Sequence, residues 1–246
     1  MHTTPLPGDD SAGHRGPHDH GPGDGYTGDV TPGGGPQVRD LGCLRLTKLA
    51  VDPEMSNNCY LLQCTETGEQ LLVDAASEAP ALLELLGDGG LATVVTTHQH
   101  WDHHRALADV VAATGASVLV GEPDADAVTE QTGVDVDRRL VHGDTVRVGS
   151  CELEVLAIAG HTPVSVALVH RTADGGTHLF TGDSLFPGGV GATFGDAAAF
   201  AQLVDEVETK IFGTLPDDTW FYPGHGNDST LGAERASLAE WRARGW

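Results

Sequence analysis

Short apolar runs alternate with polar, glycine-rich breaks along most of the chain, and the spacing of the apolar positions changes from segment to segment. From about Val38 the runs "LRLTKLAV", "NCYLLQC" and "QLLVDAA" are separated by Asn, Asp, Glu and Gly, which predicts a meander of strands. "SEAPALLELLGD" follows, with Leu82, Leu83, Leu85 and Leu86 at helical spacing, and then "LATVV", short enough for a buried strand. A β-α-β unit is expected there. The alternation continues with "HHRALADVVAATG" as helix, "ASVLVG" as strand, "EPDADAVTE" as a short helix and a strand pair either side of the turn "VHGD". Strand-like "CELEVLAI", "PVSVALVH" and "THLFTG" come next, then a helix at about 197–212, the strand "TWFYPG" and a closing amphipathic helix "LGAERASLAEWRARG". Strands outnumber helices and the two are mixed. The pattern predicts an α/β protein with at least two β-rich halves, each closed by helices, rather than a regular parallel repeat.

The first 36 residues break this pattern. They hold ten glycines and six prolines, with little apolar beyond Leu6, Tyr26 and Val30, too little to offset the entropy of ordering. A disordered tail is expected over residues 1–37 and a folded domain over 38–246. The tail histidines His2, His14, His18 and His20 could hold a metal loosely, although a solvated tail is the simpler reading.

Bulk composition narrows the classes. With 246 residues and 39% hydrophobic content, one well-filled domain is expected. The formal charge of -23 repels phosphate backbones and anionic lipid heads, so neither nucleic acid nor a membrane surface is an expected partner. An anionic small substrate is still compatible, because a bound divalent ion dominates the field at its own site. Cys43, Cys59, Cys64 and Cys151 contain no CxxC pair and are too few for a disulfide framework. They read as reduced core or strand residues. No stretch reaches the roughly 18 apolar residues of a membrane helix and no signal-peptide layout opens the chain, so a cytoplasmic location is expected.

Chemistry concentrates in "THQHWDHH", directly after "LATVV", at the kind of strand end where α/β proteins place ligands. His98 and His100 are two apart, so in an extended segment their rings point the same way and can share one ion. Asp102 and His103 follow in a different direction, suited to a second ion a few ångströms away. A lone histidine here would be a solvated or capping residue, and Asp102 alone could cap a helix; the packed set favours metal. Three further candidates stand at apolar-to-polar transitions beside glycine: His161 in "AIAGHTP", Asp183 in "LFTGDSLF" and His225 in "FYPGHGND". His142, His170 and His178 lack this setting and read as surface residues.

The ordered motifs "THQHWDH", "GHTP", "TGDSLF" and "PGHG" resemble the metallo-β-lactamase-fold hydrolase superfamily, from about residue 41 to the C-terminus. The resemblance implies a four-layer αββα sandwich of two mixed sheets flanked by helices, with a metal site along one edge. It also implies two divalent ions, zinc first and iron or manganese as alternatives. His98, His100 and His161 would bind the first, Asp102, His103 and His225 the second, and Asp183 would bridge them, with Asp102 and Asp183 the catalytic carboxylates. Asp74 in "LLVDAAS" matches an aspartate that supports the metal loop without binding. His104 is left over, expected behind the ligands or at the pocket rim.

Within the superfamily, "THQHWDHH" and "FTGDSLFPGGVG" look most like glyoxalase II, the hydroxyacylglutathione hydrolase group. That likeness implies a small-molecule thioester or related ester as substrate, attacked by a water that the metals activate near neutral pH. A thiol of pKa about 8.5 leaves readily, so no strong general acid is needed. The chain departs from that group in two ways. It stops about twenty residues after "PGHG", without the extra helical region of the glutathione site. Ala192 also stands where that group has a basic residue, so glutathione specificity is not expected. Two alternatives remain open: an enzyme similar to persulfide dioxygenase, with one iron on His98, His161 and Asp183, and a non-catalytic metal-binding protein.

Overall fold

The computed structural model describes residues 25–245. Its larger sheet runs in chain order from edge to edge: β1 (Gln37–Leu41), β2 (Leu44–Val51), β3 (Asn57–Cys64), β4 (Gln70–Val73), β5 (Thr93–Thr96), β6 (Ser117–Gly121) and β7 (Arg138–Leu140). β1 to β4 pair antiparallel, whereas β4 to β7 pair parallel. Parallel neighbours need crossovers. These are α1 (Ala79–Leu86), α2 (Leu107–Thr114) and α3 (Glu122–Thr132). Gly115 and Gly133 end α2 and α3 in the left-handed conformation, both at φ 71°, which glycine adopts without steric cost.

The second sheet is built from β8 (Thr145–Val148), β9 (Cys151–Ile158), β10 (Ser165–Arg171), β11 (Thr177–Gly182), β14 (Trp220–Pro223) and β15 (Ser229–Thr230), in the spatial order β15-β14-β11-β10-β9-β8. A separate hairpin, β12 (Leu185–Phe186) with β13 (Gly189–Val190), leaves the end of β11. α4 (Ala197–Glu206) continues as a wider π-turn to Phe212 and forms the crossover to β14, the parallel neighbour of β11. Asp196 caps α4, its side chain accepting from Ala198 N and Ala199 N. α5 (Leu231–Arg235) and α6 (Leu238–Arg244) close the described chain.

Period-two alternation sorts each strand's side chains between two cores, giving three apolar cores for four layers. Tyr60 and Leu62 of β3, Val95 of β5, Leu168 of β10 and Phe180 of β11 fill the space between the sheets. Cys59, Leu61, Val94 and Val118 face the other way and pack on Leu82, Leu107, Val110 and Val128 of the first helical layer. Ala167, Val169, Leu179 and Phe221 pack on Phe200, Leu203, Val204 and Trp241 of the second. The fold is the αββα sandwich of two mixed sheets. Among the described residues, no helix is long and apolar enough to cross a membrane.

Five expectations are corrected. Folded chain begins before residue 38: Tyr26 and Val30 are buried, and the Tyr26 hydroxyl donates to Asp228 Oδ2 at 2.8 Å. An aromatic ring with a buried partner outweighs the glycine-rich composition around it. Residues 1–24, with the tail histidines, and Trp246 lie outside the described residues. Cys43 and Cys151 form a disulfide across 108 residues, stapling the β1–β2 turn to the start of β9, while Cys59 and Cys64 are free thiols. The strands flanking "VHGD" are not a hairpin, since β7 ends one sheet and β8 begins the other. His170 is buried, its ring facing the Leu41 and Glu152 carbonyls. The closing helix is broken in two at residues 236–237.

Candidate metal centre

Both sheets present strand ends along one edge, and the seven residues singled out in the sequence converge there. His98 and His100 follow β5, His161 follows β9, Asp183 follows β11 and His225 follows β14. A short 3-10 turn, Trp101–His103, redirects the chain after His100, so Asp102 and His103 face the cluster from another side and α2 starts only at Leu107. Asp102 therefore caps no helix; its Oδ2 accepts from Asn57 Nδ2 at 2.9 Å. Three trios of donor atoms each lie within 4.8 Å of one another: His98, His100 and His161; His98, His103 and Asp183; Asp102, His103 and His225.

Four of the five imidazoles are held from behind. Thr97 gives its hydroxyl proton to Asp74 Oδ2 at 2.8 Å and so accepts from His98 Nδ1 at 3.1 Å. His103 Nδ1 donates to Asp74 Oδ2 at 2.8 Å, His161 Nδ1 to the Ala192 carbonyl at 2.7 Å, and His225 Nδ1 to the Met55 carbonyl at 2.8 Å. These partners fix the tautomer and leave Nε2 aimed inward, the usual arrangement behind metal-binding histidines. His100 differs, presenting Nδ1, 3.0 Å from both His98 Nε2 and His161 Nε2. His98 Nε2 and His161 Nε2 are 3.3 Å apart. Three inward lone pairs at such separations repel one another, and one proton can join only two of them.

Asp183 lies between the groups. Its Oδ1 is 3.3 Å from His103 Nε2, and its Oδ2 is 3.6 Å from His161 Nε2 and 3.4 Å from His225 Nε2. Oδ1 is buried and makes no well-aligned hydrogen bond, only the 3.3 Å ion-pair contact with His103 Nε2, which leaves acceptor capacity that a cation can use. Gly224 makes room for it, because a Cβ there would sit 2.2 Å from Asp183 Oδ1 and 2.7 Å from His103 Cε1. The donor set, the opposed lone pairs and the spare acceptor capacity of that oxygen all fit a divalent cation.

Electrostatics divide the cluster. Burial, reinforced by the neighbouring histidines, pulls His98 and His161 below the ordinary histidine range and brings His100 to about 4. Burial also opposes charge on His103 and His225, but Asp183 and Asp74 outweigh it for His103, and hydrogen bonds to Asp102 and Asp183 raise His225 to about 9. Asp102 and Asp183 are held well below the carboxylate range, since His225 and His103 overcome the cost of burial. One half of the site thus favours neutral imidazole, and in the other half the carboxylates favour protonated imidazole.

Residues 52–228 match the metallo-beta-lactamase superfamily. The chain belongs to that superfamily. Within it, the hydroxyacylglutathione hydrolase of a Polaromonas species is 36% identical over 171 residues, 68% of this chain and 60% of that protein. The corresponding enzyme of a Jannaschia species is 32% identical over 182 residues, 73% and 64% of the two chains. The chain therefore spans less than two thirds of the length of these metallo-beta-lactamase relatives. Among solved structures, ETHE1 from Myxococcus xanthus is similar at a TM-score of 0.67 and 29% identity, covering 80% of this chain and 84% of that one.

Asp74 stands where the sequence motif puts a supporting aspartate, and its three bonds to Thr97 and His103 tie the end of β4 to the metal loop. His104 belongs to none of the trios; its Nε2 meets the Gln99 carbonyl at 3.1 Å, and it lines a cavity of about 450 Å³ with Trp101 and Arg105. Sequence reasoning missed Asn57, which anchors Asp102, and Asp124, read only as part of a short helix. Asp124 Oδ2 accepts from Gln99 N at 2.9 Å and its Oδ1 from Val164 N at 3.2 Å, joining the His98 and His161 loops. No local signal marks these contacts, because the partners are 25 to 45 positions apart in the chain.

Proposed function

We propose that this protein is a metal-dependent hydrolase that cleaves a thioester or related ester. The observation that carries the reading is Asp183, one carboxylate reaching donors of both halves of a seven-residue cluster. His98, His100 and His161 would hold one divalent ion, Asp102, His103 and His225 a second, and Asp183 both, with zinc the first expectation and iron or manganese compatible. Bound there, such ions lower the pKa of water toward neutrality and polarise an acyl carbonyl. The chain's own part is positional: Asp74, Thr97, Ala192 and Met55 hold four rings in the orientation that keeps Nε2 inward, and Asn57 holds the Asp102 carboxylate. Similarity to hydroxyacylglutathione hydrolases supports the substrate class.

The test is elemental analysis with a screen of S-acyl thiols, esters and lactones. The expected result is two divalent ions per chain and turnover that falls at least about 100-fold in Asp183→Asn with the fold retained. No turnover across that panel by the metal-loaded chain would leave the reading without support. A one-iron centre on His98, His161 and Asp183 is the second reading, since those donors also adjoin. It leaves Asp102, His103 and His225 without a task; one iron per chain with oxygen uptake on a persulfide would favour it.

A further inference from the structure

Among the described residues, the large hydrophobic side chains left exposed are Val38, Met55, Trp101, Val141 and Phe194. Phe194 is 80% exposed, the extreme of this set. It also sits at φ 54°, a left-handed backbone conformation unfavourable for a bulky side chain. The turn that imposes this is closed by Asp196 N donating to the Thr193 carbonyl at 3.0 Å, and Gly195 continues it at φ 86°. Its consequence is directional. The Phe194 ring stands edge-on to His100 at 5.7 Å between centroids and tilted to His161 at 6.3 Å. On the other side of the cluster, Phe186 lies 6.2 Å from the His225 ring, and the half-exposed Met55 supplies the carbonyl that holds His225. A strained, solvent-facing aromatic beside a reaction centre has a use when a ligand covers it.

Charge around the mouth limits the ligand. Segments 52–56, 185–196 and 223–228 contain no lysine or arginine. The chain's two lysines are engaged elsewhere, Lys48 with Asp228 and Lys210 with Glu206. Arg105, the basic residue just past the metal loop, is paired with Asp52 and stacked over Trp101. A carboxylate or phosphate carried by the substrate would find no lysine or arginine on these segments, and their one histidine, His225, is already held by Asp102 and Asp183.

We propose that Phe194, with Phe186 and Met55 opposite, forms the specificity subsite, and that it takes an uncharged, apolar substituent of the substrate, the thiol half of a thioester in particular. The inference rests on the hydrolase reading above. Burying one aromatic face on another is worth about two- to tenfold in discrimination. Phe194 packs beside the rings of two candidate ligands without coordinating, so its removal changes which substrate is held and leaves the metal content as it was.

A matched series of acetyl thioesters on benzyl mercaptan, N-acetylcysteamine and glutathione tests this. The wild-type chain should prefer the benzyl thioester over the glutathione one by about two- to tenfold in kcat/KM. Phe194→Ala should flatten that ratio and Phe194→Tyr should keep it, all three chains having the same metal content. Independently of turnover, calorimetry with the uncleavable isostere 4-phenyl-2-butanone should show binding weakened several-fold in Phe194→Ala. Turnover with no benzyl preference, or a preference and a binding constant unchanged in Phe194→Ala, overturns the subsite alone. Binding of the isostere that depends on Phe194, without turnover of any thioester, keeps the subsite and removes the hydrolase reading.

Discussion

Two buried polar centres lie close together in this molecule and are built on opposite principles. In the first, Lys48 Nζ donates to the Gly28 carbonyl at 2.7 Å, the Gly226 carbonyl at 2.9 Å and Asp228 Oδ1 at 2.6 Å, while Asp228 Oδ2 accepts from Tyr26 and Trp220. Every proton of the ammonium group has an acceptor, and both side chains are fully buried. In the second, the seven-residue cluster, nitrogen lone pairs face one another and a buried oxygen of Asp183 has no well-aligned donor, only the His103 ring at 3.3 Å. The saturated centre is a strut: it ties β2 and the segment around Tyr26 to the loop carrying His225. The unsaturated centre is a site, because its donors are complete only when a cation arrives.

The sharpest way to break this comparison is to remove one partner from each centre. Lys48→Met leaves the Asp228 carboxylate buried without its counter-charge, and such a loss costs about 3–5 kcal/mol, a large share of a typical 5–15 kcal/mol stability. Urea denaturation of the metal-free chain measures it. A cost below about 1 kcal/mol would mean the strut is not one.

His100→Ala is the matching change in the cluster. Burial favours the neutral form of His100, its Nδ1 faces only other nitrogens and its ring packs beside the exposed Phe194, so its loss should leave urea stability within about 1 kcal/mol while one ion per chain disappears from elemental analysis. His104→Ala, a change on the far side of the same loop, should keep both ions. Equal metal loss from His100→Ala and His104→Ala would erase the boundary between ligand and neighbour.

The two centres also differ in how far the sequence revealed them. The cluster was legible because its first four members occupy six consecutive positions, 98–103, and the others stand beside glycine at the ends of apolar runs. Glycine-flanked strand ends are a local signature of close approach. Lys48 and Asp228 are 180 positions apart, and Lys48 occupies an inward position of β2, where alternation predicts an apolar residue. Tyr26, the other partner of Asp228, was hidden in a segment whose glycine and proline content reads as tail. The Cys43–Cys151 staple escaped for the same reason, being a contact between sheets that no spacing rule encodes. The layers themselves were readable from period-two alternation, but "VHGD" looked like a hairpin because a local turn does not say which sheet the chain enters next.

A finer division lies inside the cluster and can be measured by proton counting. Burial favours the neutral form of His98, His100 and His161, whereas the Asp183, Asp102 and Asp74 carboxylates favour the protonated form of His103 and His225. A cation must displace such a proton before it can bind. The first equivalent of zinc added to the stripped chain should therefore enter the trio of His98, His100 and His161 with less proton release than the second and an affinity less steep in pH. The second equivalent competes with protons, so its affinity should rise with pH. The slope is about tenfold per unit for each proton displaced, and the His225 share of it vanishes as pH passes about 9. Calorimetry in buffers of different ionisation enthalpy counts the protons in each step. Equal release in both steps would show that the two halves bind as one undivided site.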